Sequence, residues 1–434
     1  MSSLAYMALR EGRRVGGSDR SLSPTVKALG EAGCQTVIGH FEDSVDGYDL
    51  VVYTAAVSED SPELKRAREH KIPTLSRAEY LGGVMLGYKR RIGVSGTHGK
   101  TTVTTLLSHI ALTSGLDPTV MNGAQSRTLS GEAYRIGSRD SMIYEACEYK
   151  ASFHDFHPTT AVINNIELDH TDFYPDLETM IEAFRLSLKD AAICVVNGDD
   201  PAALAATDTF TGKLIRFSLQ DPAADYFASE ISASGNESRF LLTVRGKPFG
   251  EVTLPLLGSF NIANALAAIA ASHENGIALS DAVGALVSFQ PPDRRFQVLY
   301  RGEILLADDY AHHPSEIRAT LTGARALVGK TGRLITVFQS HTYTRTHDLF
   351  DDFVKALSLS DLIYMPDIFA AREKNTLGVS SEGLCRAIGE KARYVESFDE
   401  IAKELFRIMR KGDVILTMGA GDVYKIGLKL KSML

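Results

Sequence analysis

Apolar residues fall along this chain in two rhythms. Short, mostly apolar runs at 49–54, 92–95, 142–146, 161–166, 193–197, 304–307, 334–338, 361–365 and 413–418 predict strands covered on both faces. Between them lie stretches with apolar positions three and four apart, the stripe of an amphipathic helix. Val103, Leu106, Leu107, Ile110 and Ala111 mark one such helix, and Leu177, Met180, Ile181, Phe184 and Leu188 another. Further helices are expected over 61–70, 261–272 and 314–327, with short strands and turns over 209–255. Strands alternating with helices predict an α/β fold with parallel sheets. The chain opens directly into a helical pattern (Leu4, Met7, Ala8), with no strand before it.

Pro291-Pro292 interrupts the pattern, because proline continues neither a helix nor a central strand. The length, 434 residues, suits about three domains. The expected architecture is three α/β units in series, over 1–89, 90–293 and 294–434, without internal repeats.

Charge narrows the function classes. Lys plus Arg number 46 against 54 Asp plus Glu, a net charge of −8, and no dense basic run exists. Nucleic-acid binding through phosphates is therefore not expected. No apolar stretch reaches the roughly 18 residues of a membrane helix, and the first residues lack the charge order of a secretory signal. Cys34, Cys147, Cys194 and Cys385 are scattered singly, which suits a reducing cytoplasm better than a disulfide framework.

Gly96-Thr97-His98-Gly99-Lys100-Thr101 carries the parts of a nucleotide-phosphate loop. Glycines let the backbone close on phosphates, a helix N-terminus presents free N–H groups, the lysine supplies charge and the threonine hydroxyl can ligate Mg²⁺. Val94 stands where the common pattern has glycine, so the loop is a variant, and a glycine turn capping a helix is the plain alternative. A strand before and an amphipathic helix after favour the phosphate reading. Glu145 and Glu148 follow one strand and Asp169-His170 another. In open α/β sheets ligands bind beyond the carboxyl ends of strands, where these groups would meet the phosphates and a magnesium ion.

These residues resemble the Mur ligases, ATP-dependent amide-forming enzymes of peptidoglycan precursor synthesis, and most of all their alanine-adding branch. The resemblance rests on 96–102, on Glu145-Ala146-Cys147-Glu148-Tyr149, and on Asn165-Ile166-Glu167-Leu168-Asp169-His170. It continues through Asn261-Ile262-Ala263-Asn264, Arg294-Arg295-Phe296, Asp308-Asp309-Tyr310-Ala311-His312-His313-Pro314, 338–346 and 417–422. It implies a Rossmann-like UDP-binding domain, a central P-loop-type ATPase domain and a C-terminal Rossmann-like domain. The implied reaction is ligation of L-alanine to the lactyl carboxylate of UDP-N-acetylmuramate through an acyl phosphate, in the cytoplasm, by a monomer or weak homodimer.

By the same resemblance Gly96, Thr97, His98, Gly99, Lys100, Thr101 and Thr102 would bind ATP, with Asn261 and Asn264 at the adenine, Arg295 at the phosphates and Asp309 at the ribose. Thr101, Glu145 and His170 would hold Mg²⁺. Tyr310, His312, His341 and Arg345 would surround L-alanine, Arg345 facing its carboxylate as a planar guanidinium can. Lys100, Glu145, His170 and Arg295 are the expected catalytic group. Plainer roles fit some of them: Asn261 as a helix cap, one of Arg294-Arg295 as a surface ion pair, His312-His313-Pro314 as a turn, Arg345 as a solvated arginine. The family's opening strand and glycine-rich loop for the UDP-sugar have no counterpart, and Gly17-Ser18-Asp19, Gly39-His40 and Thr54-Ala55-Ala56 are what remains of that unit's pattern. This departure motivates the expectation of a truncated first domain. A ligase recycling preformed peptides and a non-catalytic ATP-binding relative are the competing readings.

Overall fold

The computed structural model describes residues 1–434 apart from 55, 56, 172, 235, 236 and 372, so Ala55 and Ala56 lie outside the described residues. A ten-stranded sheet forms the middle of the molecule. Its parallel core runs Ile193–Asn197, Thr160–Ile163, Arg90–Ser95, Ser141–Glu145, Thr119–Ser126. Side chains on successive residues alternate between two apolar layers, as a pleated strand requires. Ile143 and Val195 enter one layer, with the helices Lys100–Thr113 and Ser259–Glu274. Met142, Tyr144, Cys194 and Val196 enter the other. Burial on both faces explains why these strands read as mostly apolar runs rather than as alternating ones. The 209–255 stretch forms Lys213–Ser218 and the antiparallel Tyr226–Ser234, Glu237–Val244 and Lys247–Leu254, which extend one side of the sheet.

The third unit is a six-stranded sheet in the order Gln297–Arg301, Leu305–Asp309, Val414–Met418, Leu334–Phe338, Leu362–Met365, Ala392–Tyr394. All its pairs are parallel except the first. Helices cover both faces around two apolar clusters.

In the first unit the strands form two separate two-stranded parallel sheets, Gly16–Asp19 with Gln35–Ile38 and Val51–Tyr53 with Thr74–Ser76. The opening helix, Ser2–Arg10, and the helix Arg77–Met85 do not stay within that unit. Leu4, Met7, Ala78, Leu81 and Met85 are buried in the second layer of the central sheet. Arg77–Met85 lies on the turn Tyr149–Asp155, where a Cβ at Gly82 would strike the Asp155 carbonyl oxygen. Among the described residues no helix is long and apolar enough to cross a membrane.

One expected strand is shorter than its apolar run. It ends at Ile163 rather than at 166. The reason is local: the Asn164 and Asn165 side chains turn toward the His98 carbonyl oxygen, at 3.0 and 3.1 Å, and the chain leaves the sheet to hold the phosphate loop.

Candidate active site

The loop between Arg90–Ser95 and Lys100–Thr113 bends through two glycines with positive φ, Gly96 at 136° and Gly99 at 81°. Side-chain-free residues reach that region without strain. At Gly99 space is a second constraint, because an added Cβ would meet the amides of Asn164 and Asn264. The loop is stapled from beneath. The His98 N–H donates to Asn165 Oδ1 at 2.8 Å, and the Thr97 hydroxyl donates to the Glu167 carbonyl oxygen at 3.0 Å. Asn164 Nδ2 donates to Asn264 Oδ1 at 2.8 Å, and Asn261 Nδ2 to the Leu257 carbonyl oxygen. Asn261 and Asn264 are thus both buried beside the loop, and Asn264 helps to shape it.

Lys100 Nζ lies within the loop, bonded to the carbonyl oxygens of Gly96 and Thr97 and to both oxygens of Glu148, at 2.9 and 2.8 Å. His170 Nε2 is 3.7 Å from Glu148 Oε1. Burial opposes both charges, but each ion stabilises the other: the Glu148 carboxyl is held below its ordinary range and the Lys100 ammonium above its own. Glu145, expected among these groups, is hydrogen-bonded to neither of them. Its carboxylate accepts from the Gly123 N–H at 2.6 Å, while its charge still acts on Lys100. The carboxylate bonded to Lys100 and lying beside His170 is that of Glu148, three residues along and just before a bend with left-handed Lys150 and Ala151. Both glutamates are candidates in the sequence, and which of them bonds Lys100 leaves no mark in the apolar pattern.

The third unit closes over this loop. Arg295 Nη2 donates to Thr101 Oγ1 at 3.3 Å, while Arg294 pairs with Asp308 at 2.9 Å. The adjacent arginines thus divide, one toward the phosphate site and one into its own unit. Both guanidinium groups lie over the Tyr310 ring, at 5.0 and 4.9 Å. Asp309 is buried and accepts from the N–H groups of Phe296 and Ala311, so it anchors the turn that carries Arg295. Burial pushes its carboxyl up to about 6. Thr102 is buried at the start of the loop helix.

His312 and His341 face each other with ring centroids 6.1 Å apart, and Tyr310 lies 5.4 Å from His312. Arg345 Nη1 is 3.2 Å from His341 Nδ1, and its other nitrogens donate to Asp169 Oδ1 at 3.2 and 2.8 Å. Arg345 is therefore no solvated arginine: it is a largely covered partner in an ion pair between the third and central units. Burial and the charges of His312 and Arg345 push the His341 imidazole down to about 4, so it is neutral at pH 7. Thr342 holds this segment with φ of 67° and caps the helix Tyr343–Asp348.

Sequence reasoning gave no role to Asn164, Asn165, Glu167 or Glu316. Asn165 and Glu167 lie within the quoted motif 165–170 and Asn164 just before it, but what they hold is a loop distant in sequence. Glu316 had a readable signal, standing three residues after His313 at capping-box spacing before Pro314–Arg325.

The chain matches the descriptions "Mur ligase family, catalytic domain" over residues 1–89, "Mur ligase middle domain" over 94–272 and "Mur ligase, glutamate ligase domain" over 294–421. It is 40% identical to the UDP-N-acetylmuramate–L-alanine ligase of Clostridium novyi, over 98% of this chain and 94% of that protein. It is 41% identical to the enzyme of that name from Acetivibrio thermocellus, over 100% and 94%. Among solved structures, the UDP-N-acetylmuramate–alanine ligase of Thermotoga maritima superimposes with a TM-score of 0.84 at 27% identity, covering 100% of this chain and 96% of that one. A murein peptide ligase from Psychrobacter arcticus shares the fold, with a TM-score of 0.70 at 24% identity.

Proposed function

The chain belongs to the Mur ligase family, and on that footing we propose that it joins L-alanine to the lactyl carboxylate of UDP-N-acetylmuramate, using ATP. This is the first amino-acid addition in peptidoglycan precursor synthesis. In this reading residues 1–89 take the UDP-sugar, 90–293 the ATP and 294–434 the amino acid, and the enzyme works in the cytoplasm. The observation that carries the reading is the closed cleft: Lys100 and Glu148 on one wall, and Arg295, His312, His341 and Arg345 on the other.

The chemistry follows from where these groups stand. The loop N–H groups and Lys100 receive the ATP phosphates, Lys100 exchanging Glu148 for phosphate oxygens. Arg295 reaches the same point from the opposite wall, so charge developing on the transferred phosphoryl meets fixed cations on both sides. A carboxylate, an imidazole and a hydroxyl suit a hard divalent cation, and Glu148, His170 and Thr101 are the residues that would hold Mg²⁺. When bound, Mg²⁺ neutralises phosphate charge. The acyl phosphate so formed is attacked by the alanine amine, which releases phosphate. Arg345 is the partner for the alanine carboxylate once it exchanges Asp169 for it. His341, neutral at pH 7, has a nitrogen lone pair to accept the amine proton.

Incubation with ATP, Mg²⁺, UDP-N-acetylmuramate and L-alanine, followed by mass analysis of the UDP-sugar, tests the proposal. The expected product is heavier by one alanyl residue. A product formed only with a preformed peptide would contradict it.

A further inference from the structure

His98 lies in the middle of the phosphate loop, and neither of its ring nitrogens is free. Nδ1 is 3.1 Å from Glu316 Oε1 and Nε2 is 3.2 Å from Glu167 Oε2, with Ser315 Oγ 3.0 Å from Nε2. A carboxylate against each ring nitrogen requires both nitrogens to donate, which only the imidazolium can do. Glu167 belongs to the central unit, whereas Glu316 comes from the first turn of Pro314–Arg325 in the third. The second oxygen of Glu316 accepts from the His312 and His313 N–H groups, at 3.0 and 3.3 Å, and lies 3.2 Å from His312 Nδ1. One half-buried carboxylate thus touches the ATP loop on one side and the histidine turn of the amine pocket on the other.

We infer that Glu316 is a positioning residue: it clasps the charged His98 when the third unit closes, so that the phosphate loop and the amine pocket are assembled by the same movement. The inference rests on the ligase reading for what the two sites bind, but the clasp itself is a statement about closure. In the open form His98 keeps Glu167 and loses Glu316. The other groups facing the ring are His313, whose centroid is 4.9 Å away, and Ser315, both from the same turn as Glu316. His313 is pushed down to about 4 by burial and by the charge on His98, so it stays neutral beside it. Burial alone would discharge His98; Glu316 and Glu167 outweigh that and raise it to about 9. A raised value means that the clasp's contribution is complete below the ordinary value of 6.5 and is lost as pH rises through about 9.

The test uses the full chain with ADP and Mg²⁺, in the wild type, Glu316→Gln, His98→Gln and the double variant. Glutamine at 316 keeps the length and the capping acceptor while removing the charge. Small-angle scattering reads compactness across pH, and phosphate release reads turnover. The wild type is expected to expand as pH rises through about 9. Glu316→Gln should shift the closed-to-open ratio about ten- to a hundredfold toward open at neutral pH, the worth of one hydrogen bond to a charged group. Its loss of turnover should exceed its loss of ADP affinity. The double variant should be no more open than the worse single one, because both changes remove one contact. Single variants as compact as the wild type with an unchanged pH course, or losses that add in the double variant, would overturn the clasp. A shift in compactness in a protein that forms no alanylated product would instead leave the clasp standing and remove the ligase reading.

Discussion

Lys100 shows how a single residue is prepared for its work. It is half-buried and surrounded by two carbonyl oxygens and both oxygens of Glu148, which keep it charged where phosphate is to arrive. Lys100→Ala should lower turnover by at least about 10²-fold, the scale for removing one transition-state donor. Steady-state phosphate release checks this, and near-normal turnover would remove the phosphate-loop assignment. Glu148 and Glu145 can be separated in the same assay. Glu148→Gln should lose about 10²-fold or more in turnover, because it leaves Lys100 without its buried partner and His170 without a carboxylate beside it. Glu145→Gln should stay within about tenfold, since it touches the Gly123 amide rather than Lys100 or His170. Equal losses in the two variants would show that Glu145 also enters the site.

At the scale of elements, the site is built by segments that leave the sheet early. The strand Thr160–Ile163 stops so that Asn164, Asn165 and Glu167 can hold the loop 96–99. Apolar periodicity located that strand and the helix Lys100–Thr113, because both are buried and patterning reports burial. It could not fix where the strand ended, because Ile166 is also buried and prolongs the apolar run past the last ladder bond. The motifs carried more of the site than the pattern did. Lys100, Arg295, His170, His341 and Arg345 all stand near the one cleft, while the choice of Glu148 over Glu145 and the anchoring role of Asp309 depend on backbone bends far apart in sequence. One element makes a direct stability prediction. Gly82 lies inside the helix Arg77–Met85, where the Asp155 carbonyl leaves no room for a methyl group. Gly82→Ala should therefore cost about 1–3 kcal/mol despite alanine's better helix propensity, the usual range for overpacking. Denaturant unfolding checks the sign, and a stabilised variant would mean that this helix moves freely on its neighbour.

The whole molecule is held closed by polar contacts rather than by a shared core between the central and third units. Arg345–Asp169, His98–Glu316, Arg295–Thr101 and Thr171–Asp348 all cross that boundary. The first unit differs, since its helices Ser2–Arg10 and Arg77–Met85 are buried in the central layer. Closure should therefore respond to pH while the first unit's attachment should not. Glu167, held down to about 2 chiefly by its bond to His98, contributes above its ordinary 4.5 and loses that contribution as pH falls toward about 2. Asp169, held low against burial by Arg345, acts in the same direction. His98 sets the alkaline limit near 9. Melting temperature should thus be highest between the ordinary carboxylate value of 4.5 and the ordinary imidazole value of 6.5, and fall on both sides. A curve rising steadily into alkali would contradict the charge assignments across the cleft.

The most direct measurement is phosphate release from ATP by this chain, with UDP-N-acetylmuramate and L-alanine supplied together and each left out in turn. Rapid release only when ATP, the UDP-sugar and alanine are all present is the predicted result, because the acyl phosphate needs the sugar carboxylate and its turnover needs the amine. Release that is indifferent to the UDP-sugar or to alanine, from a protein shown to be folded and to bind ATP, would contradict the account.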